Sequence, residues 1–229
     1  MATASAGLFT AFRENFILHK LHSLTGIIPI GFYMVQHLAL NSFSLAGPQY
    51  FDGVIAFFHA IPSHLFLVIQ AIIWGSILFH GLYGFVIVRN AKMNLAGTRY
   101  NYRGNYIFTM QRITGMLLLP LLVAHVWSTS VMGMIHGDDV VAYSSWAARL
   151  SAGFYAVLAL YVIGVVAASW HLAFGVWNFC IRWGITVSQR AQNSTYKLAW
   201  FIFIAVSLLG IAALIGFFLH QPAPSTVTI

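Results

Sequence analysis

Hydrophobic residues in this chain come in long unbroken runs, not in the alternating or 3.6-spaced stripes of a water-soluble fold. Five stretches stay free of Asp, Glu, Lys and Arg long enough to cross a hydrocarbon core of about 30 Å, which takes roughly 20 helical residues. They run over about 21–43, 64–88, 106–134, 151–181 and 197–219, and the exceptions are Arg112, near the start of the third, and Lys197, the first residue of the fifth. A bilayer core offers backbone N–H and C=O groups no water, so only helices and closed barrels span it, and barrel strands would alternate with period two. The pattern predicts an all-α membrane protein: five transmembrane helices in one integral membrane domain covering residues 1–229.

Composition agrees with this, since 60% of the 229 residues are hydrophobic and 7% are charged. The placement of charge adds an orientation. Arg13 and Lys20 precede the first run, Arg89, Lys92, Arg99, Arg103 and Arg112 surround the second connection, and Arg182, Arg190 and Lys197 surround the fourth, which puts ten of eleven basic residues on one side. Asp52, Asp138, Asp139 and Arg149 fall on the other. The positive-inside rule then places the N-terminus in the cytoplasm and the C-terminus outside. The net charge of +7 belongs to one face, suited to anionic lipid and to a soluble docking partner rather than to nucleic acid. Arg13, Glu14 and Lys20 interrupt any signal-peptide core, so residues 1–20 are expected to lie along the cytoplasmic surface. Cys180 is the only cysteine, which excludes intrachain disulfides, thiolate-held iron-sulfur clusters and covalent haem attachment through a CxxCH motif.

The chain also matches itself. LHSLTG at 21–26 pairs with MQRITG at 110–115, HGLYGF at 80–85 with HLAFGV at 171–176, and His37 with His125, at offsets of 89, 91 and 88. The repeating unit is a two-helix hairpin, and an even number of spans gives both copies the same orientation. The fifth run stands outside the repeat. Gly26 precedes His37 by eleven residues whereas Gly115 precedes His125 by ten, a slip that points to a local adjustment near Pro29 or Pro120.

Of ten histidines, His19, His59, His64, His136 and His220 fall in connections or at run ends. His37, His80, His125 and His171 lie inside apolar runs, one per helix, where an ionisable group is costly and marks function. At 1.5 Å per residue, His80 and His171 sit roughly 14–16 Å from the basic end, and His37 and His125 about 20–26 Å. Depth therefore pairs His80 with His171 and His37 with His125. No span contains a carboxylate, so a zinc or copper site would lack ligands. Haem needs only two axial ligands, and two bis-histidine b-type haems in a four-helix core fit this pattern. Gly26 and Gly115 would leave room for a macrocycle, with Gly84 and Gly175 relieving crowding one turn from His80 and His171. His22, Ser23 and Arg112, at the basic end of the first and third runs, would meet the anionic propionates of the nearer haem. A haem-free histidine-relay transporter is the alternative of a different class.

The order HSLTG, QH, HGLYG, QRITG, AHVW and HLAFGVWNF running into WGITVSQRAQ resembles the dihaem cytochrome b membrane subunit of succinate:quinone oxidoreductases and the related five-helix fumarate reductases, over residues 19 to 219. The resemblance implies a bacterial cytoplasmic-membrane subunit of respiratory complex II. A flavoprotein carrying FAD and an iron-sulfur subunit dock on its cytoplasmic face, and the dicarboxylate chemistry is on those partners. His80 and His171 match the ligands of the proximal, higher-potential haem, and His37 and His125 those of the distal one. Menaquinone is implied as the quinone, near the distal haem, with Gln36, Gln70, His64 and Trp127 the candidates to line its pocket. Some fumarate reductases use a glutamate near the distal haem, which no span here supplies. The cytochrome b subunit of a hydrogenase or formate dehydrogenase remains a second haem-based reading.

Overall fold

Five helices long and apolar enough to cross a membrane dominate the computed structural model, which describes residues 15–91 and 102–220. The spans are α1 (Phe16–Ala46), α3 (Ser63–Arg89), α4 (Arg103–His136), α5 (Tyr143–Arg182) and α6 (Gln189–Leu219), with a short helix α2 (Pro48–His59) between the first two. No strand occurs among the described residues.

Each helix outruns the charge-free stretch that predicts it, because basic residues at its ends stay helical. Their apolar stems lie along the bundle while their charged heads reach the headgroup level. The Lys20 ammonium sits 4.8 Å over the Phe16 ring and 4.7 Å over the Trp183 ring. Arg103 lies 4.2 Å over the Tyr196 ring and donates to Asn193 Oδ1 at 2.8 Å. Of the surface segment expected over 1–20, the structure describes residues 15–20, and 16–20 are helical. Asn15 caps α1, its Oδ1 accepting from Ile17 N at 3.0 Å and Leu18 N at 3.1 Å, and residues 16–20 run without a break into the rest of the helix. Residues 1–14 lie outside the described residues, as do Lys92 and Arg99 of the basic loop.

Two of the long helices contain π turns, at Gly26–Gly31 around Pro29 in α1 and at Trp127–Val131 in α4. Pro120 instead lies within regular α-helix. The expected fourth run begins at 151, and α5 indeed breaks there. Gly153, Phe154 and Tyr155 adopt φ of 60°, 53° and 65°, a left-handed conformation that costs an L-residue roughly 1–2 kcal/mol. The break separates a leg, residues 143–151, from the span proper.

That leg, α2 and the 3-10 turn Asp138–Val141 form a layer at the end of the bundle opposite the basic residues. It is held polar group by polar group. Asp52 Oδ1 accepts from Tyr143 N at 2.9 Å, Tyr143 Oη donates to Gly216 O at 2.6 Å, and Ser44 Oγ donates to Ala213 O at 2.7 Å. Phe51, Tyr143, Trp146, Ala147, Leu150, Leu214 and Phe217 form the apolar cluster beneath it. A second cluster near the basic end joins Ile107, Ala173, Phe174 and Ala199 under an apron of Trp170, Trp177 and Tyr196. Both use α5 and α6. The helix outside the repeat is thus the one most buried in protein.

Close approach sets where α1 ends. A Cβ on Gly216 would run into Ser44 Oγ and lie 2.6 Å from the Leu45 backbone nitrogen, and neither can yield. Gly216→Ala is expected to cost about 1–3 kcal/mol through overpacking, read as a lower Tm of the purified protein in detergent. Gly75→Ala, where a Cβ meets nothing within 4 Å, leaves the Tm in place; equal effects of the two would remove the packing account.

Candidate functional site

Four helices each project one imidazole into the bundle, and the structure brings them together as two pairs. The ring centres of His80 (α3) and His171 (α5) are 6.1 Å apart with planes at 83°. Those of His37 (α1) and His125 (α4) are 5.9 Å apart at 77°. Two imidazole nitrogens binding one metal ion at about 2 Å each place their ring centres roughly 6 Å apart. Among the described residues no three His, Cys, Asp or Glu side chains are arranged to hold a metal ion between them. Each pair therefore offers two ligands and no more, a donor set that fits a group bringing its own equatorial nitrogens.

The second nitrogen of most rings is engaged, which decides which nitrogen faces a metal. His80 Nδ1 lies 2.9 Å from the carbonyl oxygen of His22, which can only accept, so Nδ1 carries the proton and Nε2 the lone pair. His171 Nδ1 lies 3.2 Å from Thr114 Oγ1, whose own proton goes to Met110 O at 2.8 Å. His125 Nδ1 lies 3.2 Å from Tyr161 Oη. His37 is flanked instead by Tyr33, with ring centres 5.5 Å apart at 25°.

Glycines set how close the helices come. A Cβ on Gly26 would sit 2.5 Å from His80 Cε1, and one on Gly115 3.0 Å from His171 Cε1. Both glycines therefore stand at the level of the His80–His171 pair, and what a side chain there meets first is the imidazole itself. Gly84 makes room for His22, whose Nε2 would be 3.1 Å from its Cβ, and Gly175 for Gln111 at 3.4 Å. Gln111 Nε2 in turn donates to the His171 carbonyl at 2.9 Å.

The residues expected to meet propionates divide. His22 stacks on His80, ring centres 3.9 Å apart at 11°. Arg112 lies over the Phe108 ring and donates from Nη1 to Phe108 O at 2.9 Å, while its Nε is buried with no partner among the described residues. It lines a cleft of about 260 Å³ with His19, Tyr83, Asn90 and Phe108, and the unmet donor suits an anion. Ser23 does not. Its hydroxyl donates to Lys20 O at 2.8 Å and accepts from Trp183 Nε1 at 3.0 Å, tying α1 to the end of α5, so it has no proton left for a carboxylate.

The residues proposed for a quinone pocket are not gathered. Gln36 is on α1, Gln70 and His64 on α3 and Trp127 on α4, with His64 and Trp127 exposed. No hydrogen bond or ring contact joins them among the described residues. Sequence reasoning also passed over groups that the structure places at the His125 ring: Tyr161, and Trp146 with its ring centre 6.2 Å away. A signal for Tyr161 was present, since it precedes His171 by ten residues, nearly three turns, and so shares its helix face at the level of the other pair.

A family model described as the succinate dehydrogenase/fumarate reductase transmembrane subunit matches residues 88–212, which include His125, Tyr161 and His171. The succinate dehydrogenase cytochrome b558 subunit of Bacillus subtilis (strain 168) is 35% identical over 204 residues, 89% of this chain and 98% of that protein. The chain belongs to this succinate dehydrogenase/fumarate reductase transmembrane family. The relative's match extends to all but about a tenth of the present chain, well beyond the segment the family model covers.

The collision at Gly26 is harder than at Gly115, and the two can be compared directly. Gly26→Ala is expected to diminish the b-type absorbance of the purified protein more than Gly115→Ala does, with Gly75→Ala leaving it intact. The reverse order would mean that the glycines serve some purpose other than seating the two imidazoles.

Proposed function

We propose that the chain is the cytochrome b membrane-anchor subunit of a bacterial succinate dehydrogenase, a succinate:menaquinone oxidoreductase. The near end-to-end match to a succinate dehydrogenase cytochrome b558 subunit carries this reading, and two facing imidazole pairs in a five-helix bundle support it. A transporter, or the cytochrome of a hydrogenase or formate dehydrogenase, finds no such support. The flavoprotein and iron-sulfur subunits dock on the basic end, which faces the cytoplasm with the N-terminus, while the C-terminus lies outside. The dicarboxylate site, FAD and the iron-sulfur clusters belong to those partners. A fumarate reductase anchor would use the same parts with electrons running from quinol.

His80 and His171 hold the iron of the haem nearer the partners, and His37 and His125 that of the outer haem. Bound haem supplies one-electron carriage between the iron-sulfur subunit and quinone. The protein's part is to fix and insulate. The His22 carbonyl, Thr114 and Tyr161 hold the Nδ1 protons of three ligands, so that each presents Nε2. Arg112, which lines the cleft at the basic end, and His22 hold the propionates of the nearer haem. The apolar walls of the bundle keep water from the irons.

The intact complex, purified from its membrane, is expected to contain two haem b per copy of this chain by pyridine haemochrome, together with a flavoprotein and an iron-sulfur protein. His80→Ala should remove one haem and leave the other visible in the spectrum. A complex without b-type absorbance, or one lacking a flavoprotein, would overturn the reading; retention of both haems in His80→Ala would overturn the ligand assignment.

A further inference from the structure

The two histidine pairs have different surroundings, and the difference lies in the leg that precedes the break in α5. That leg folds over the outer pair. The Trp146 ring centre is 6.2 Å from that of His125 and 5.3 Å from that of Tyr161. Arg149, three residues on, shares Trp146's helix face, and its guanidinium lies 4.7 Å over the Trp146 ring. Arg149 Nη2 donates to Val140 O at 3.0 Å, and its Nη1 is buried with no partner among the described residues. An arginine stays charged under all physiological conditions. A cation is therefore held by a carbonyl and over the face of an indole that itself packs on His125 and Tyr161.

Around the other pair the groups nearest the ligands are of another kind. His80 Nδ1 faces a backbone carbonyl and His171 Nδ1 a threonine hydroxyl, neither of them cationic. We propose that Tyr161 and Arg149 are positioning residues for the outer haem ligand: Tyr161 accepts the Nδ1 proton of His125 and fixes its ring, and Arg149 supplies a fixed positive charge that favours the reduced iron. The proposal rests on the haem reading above. Adding one electron takes ferric to ferrous iron and lowers the charge of the site by one, so a nearby cation stabilises the product more than the reactant. The neutral phenol leaves the imidazole less anionic than a stronger acceptor would. Little water reaches the guanidinium's buried nitrogen to screen the effect. The sequence places Arg149 among the loop charges of the outer side; the structure turns it inward.

The test is a potentiometric titration of the purified whole complex, followed by optical and EPR spectra, for wild type, Arg149→Gln, Arg149→Lys and Tyr161→Phe. The outer haem is identified as the signal missing from His125→Ala. Arg149→Gln is expected to make reduction of the outer haem about tenfold less favourable, a fall of about 59 mV in its midpoint for one electron, with the inner haem unmoved. Arg149→Lys, which keeps the charge, should restore most of that fall. Tyr161→Phe should shift the low-spin EPR g value of the outer haem alone, since nothing then holds the imidazole plane. An outer midpoint unchanged in Arg149→Gln, or lowered equally in Arg149→Lys, overturns the electrostatic role; an unchanged g value in Tyr161→Phe overturns the positioning role. If Arg149→Gln loses the outer haem, the lysine and phenylalanine variants decide. Fewer than two haems in the wild type would instead bring down the underlying haem reading, a separate and recognisable result.

Discussion

An imidazole ring among hydrocarbon side chains must have its nitrogens engaged, because an unsatisfied polar group there costs several kcal/mol by rough measure. Four such rings in one small bundle constrain nearly everything around them. Each needs a partner for one nitrogen, and the chain supplies three of these from quite different sources: a carbonyl of α1, a threonine of α4 and a tyrosine of α5. The rings face one another in two pairs with their centres about 6 Å apart, and no hydrogen bond joins the two rings of either pair among the described residues. A metal that brings its own further donors would need only these two nitrogens, which is why the absence of carboxylates from the spans counts in favour of haem.

The same demand explains the distribution of packing. The helices that carry His37, His80 and His125 bury few side chains in protein, whereas α5 and α6 pack along their length and hold both apolar clusters. The fifth helix acts as the rigid post. Its far end accepts the Ser44 and Tyr143 hydroxyls on backbone carbonyls, and through them it fixes the end of α1, which carries His37, and the leg over His125. A helix without one of the four inward imidazoles thus orients two of the helices that bear one.

The spans were readable from sequence because bilayer thickness sets a length that charge-free runs either meet or miss. Depth was readable for the same reason: Arg89, Arg182, Lys20 and Arg112 mark one surface, and counting from them places each histidine at a level. The layer at the opposite end was not readable. Residues 143–151 continue smoothly into an apolar run, and the turn that separates them uses Phe154 and Tyr155 in a left-handed conformation that neither residue type announces. Arg149 was consequently counted as a loop charge when it faces inward. Gln36, Gln70, His64 and Trp127 were chosen for polarity alone, without the depth count applied to the histidines, and they scatter over three helices. Ser23 was assigned by proximity to an end, whereas its single proton was already committed to Lys20.

The unequal spacing in the two halves has a physical reason in α1. His37 follows Gly26 by eleven positions and His125 follows Gly115 by ten, yet both glycines lie against an imidazole of the same pair and both histidines belong to the other. A π turn accommodates one residue more than an α turn while the helix continues on either side. The turn Gly26–Gly31 falls in this interval of α1, while the corresponding stretch of α4 is regular α-helix through Pro120. Pro29 cannot donate a backbone hydrogen bond, so a widened turn there gives up less than it would at another residue. The extra residue is taken up beside the proline, before His37, and His37 still reaches the level of His125. Removing the widened turn without removing a residue would rotate His37 by about 100° around its helix, away from its partner, so the bulge in α1 is what allows two unequal sequences to build one level site.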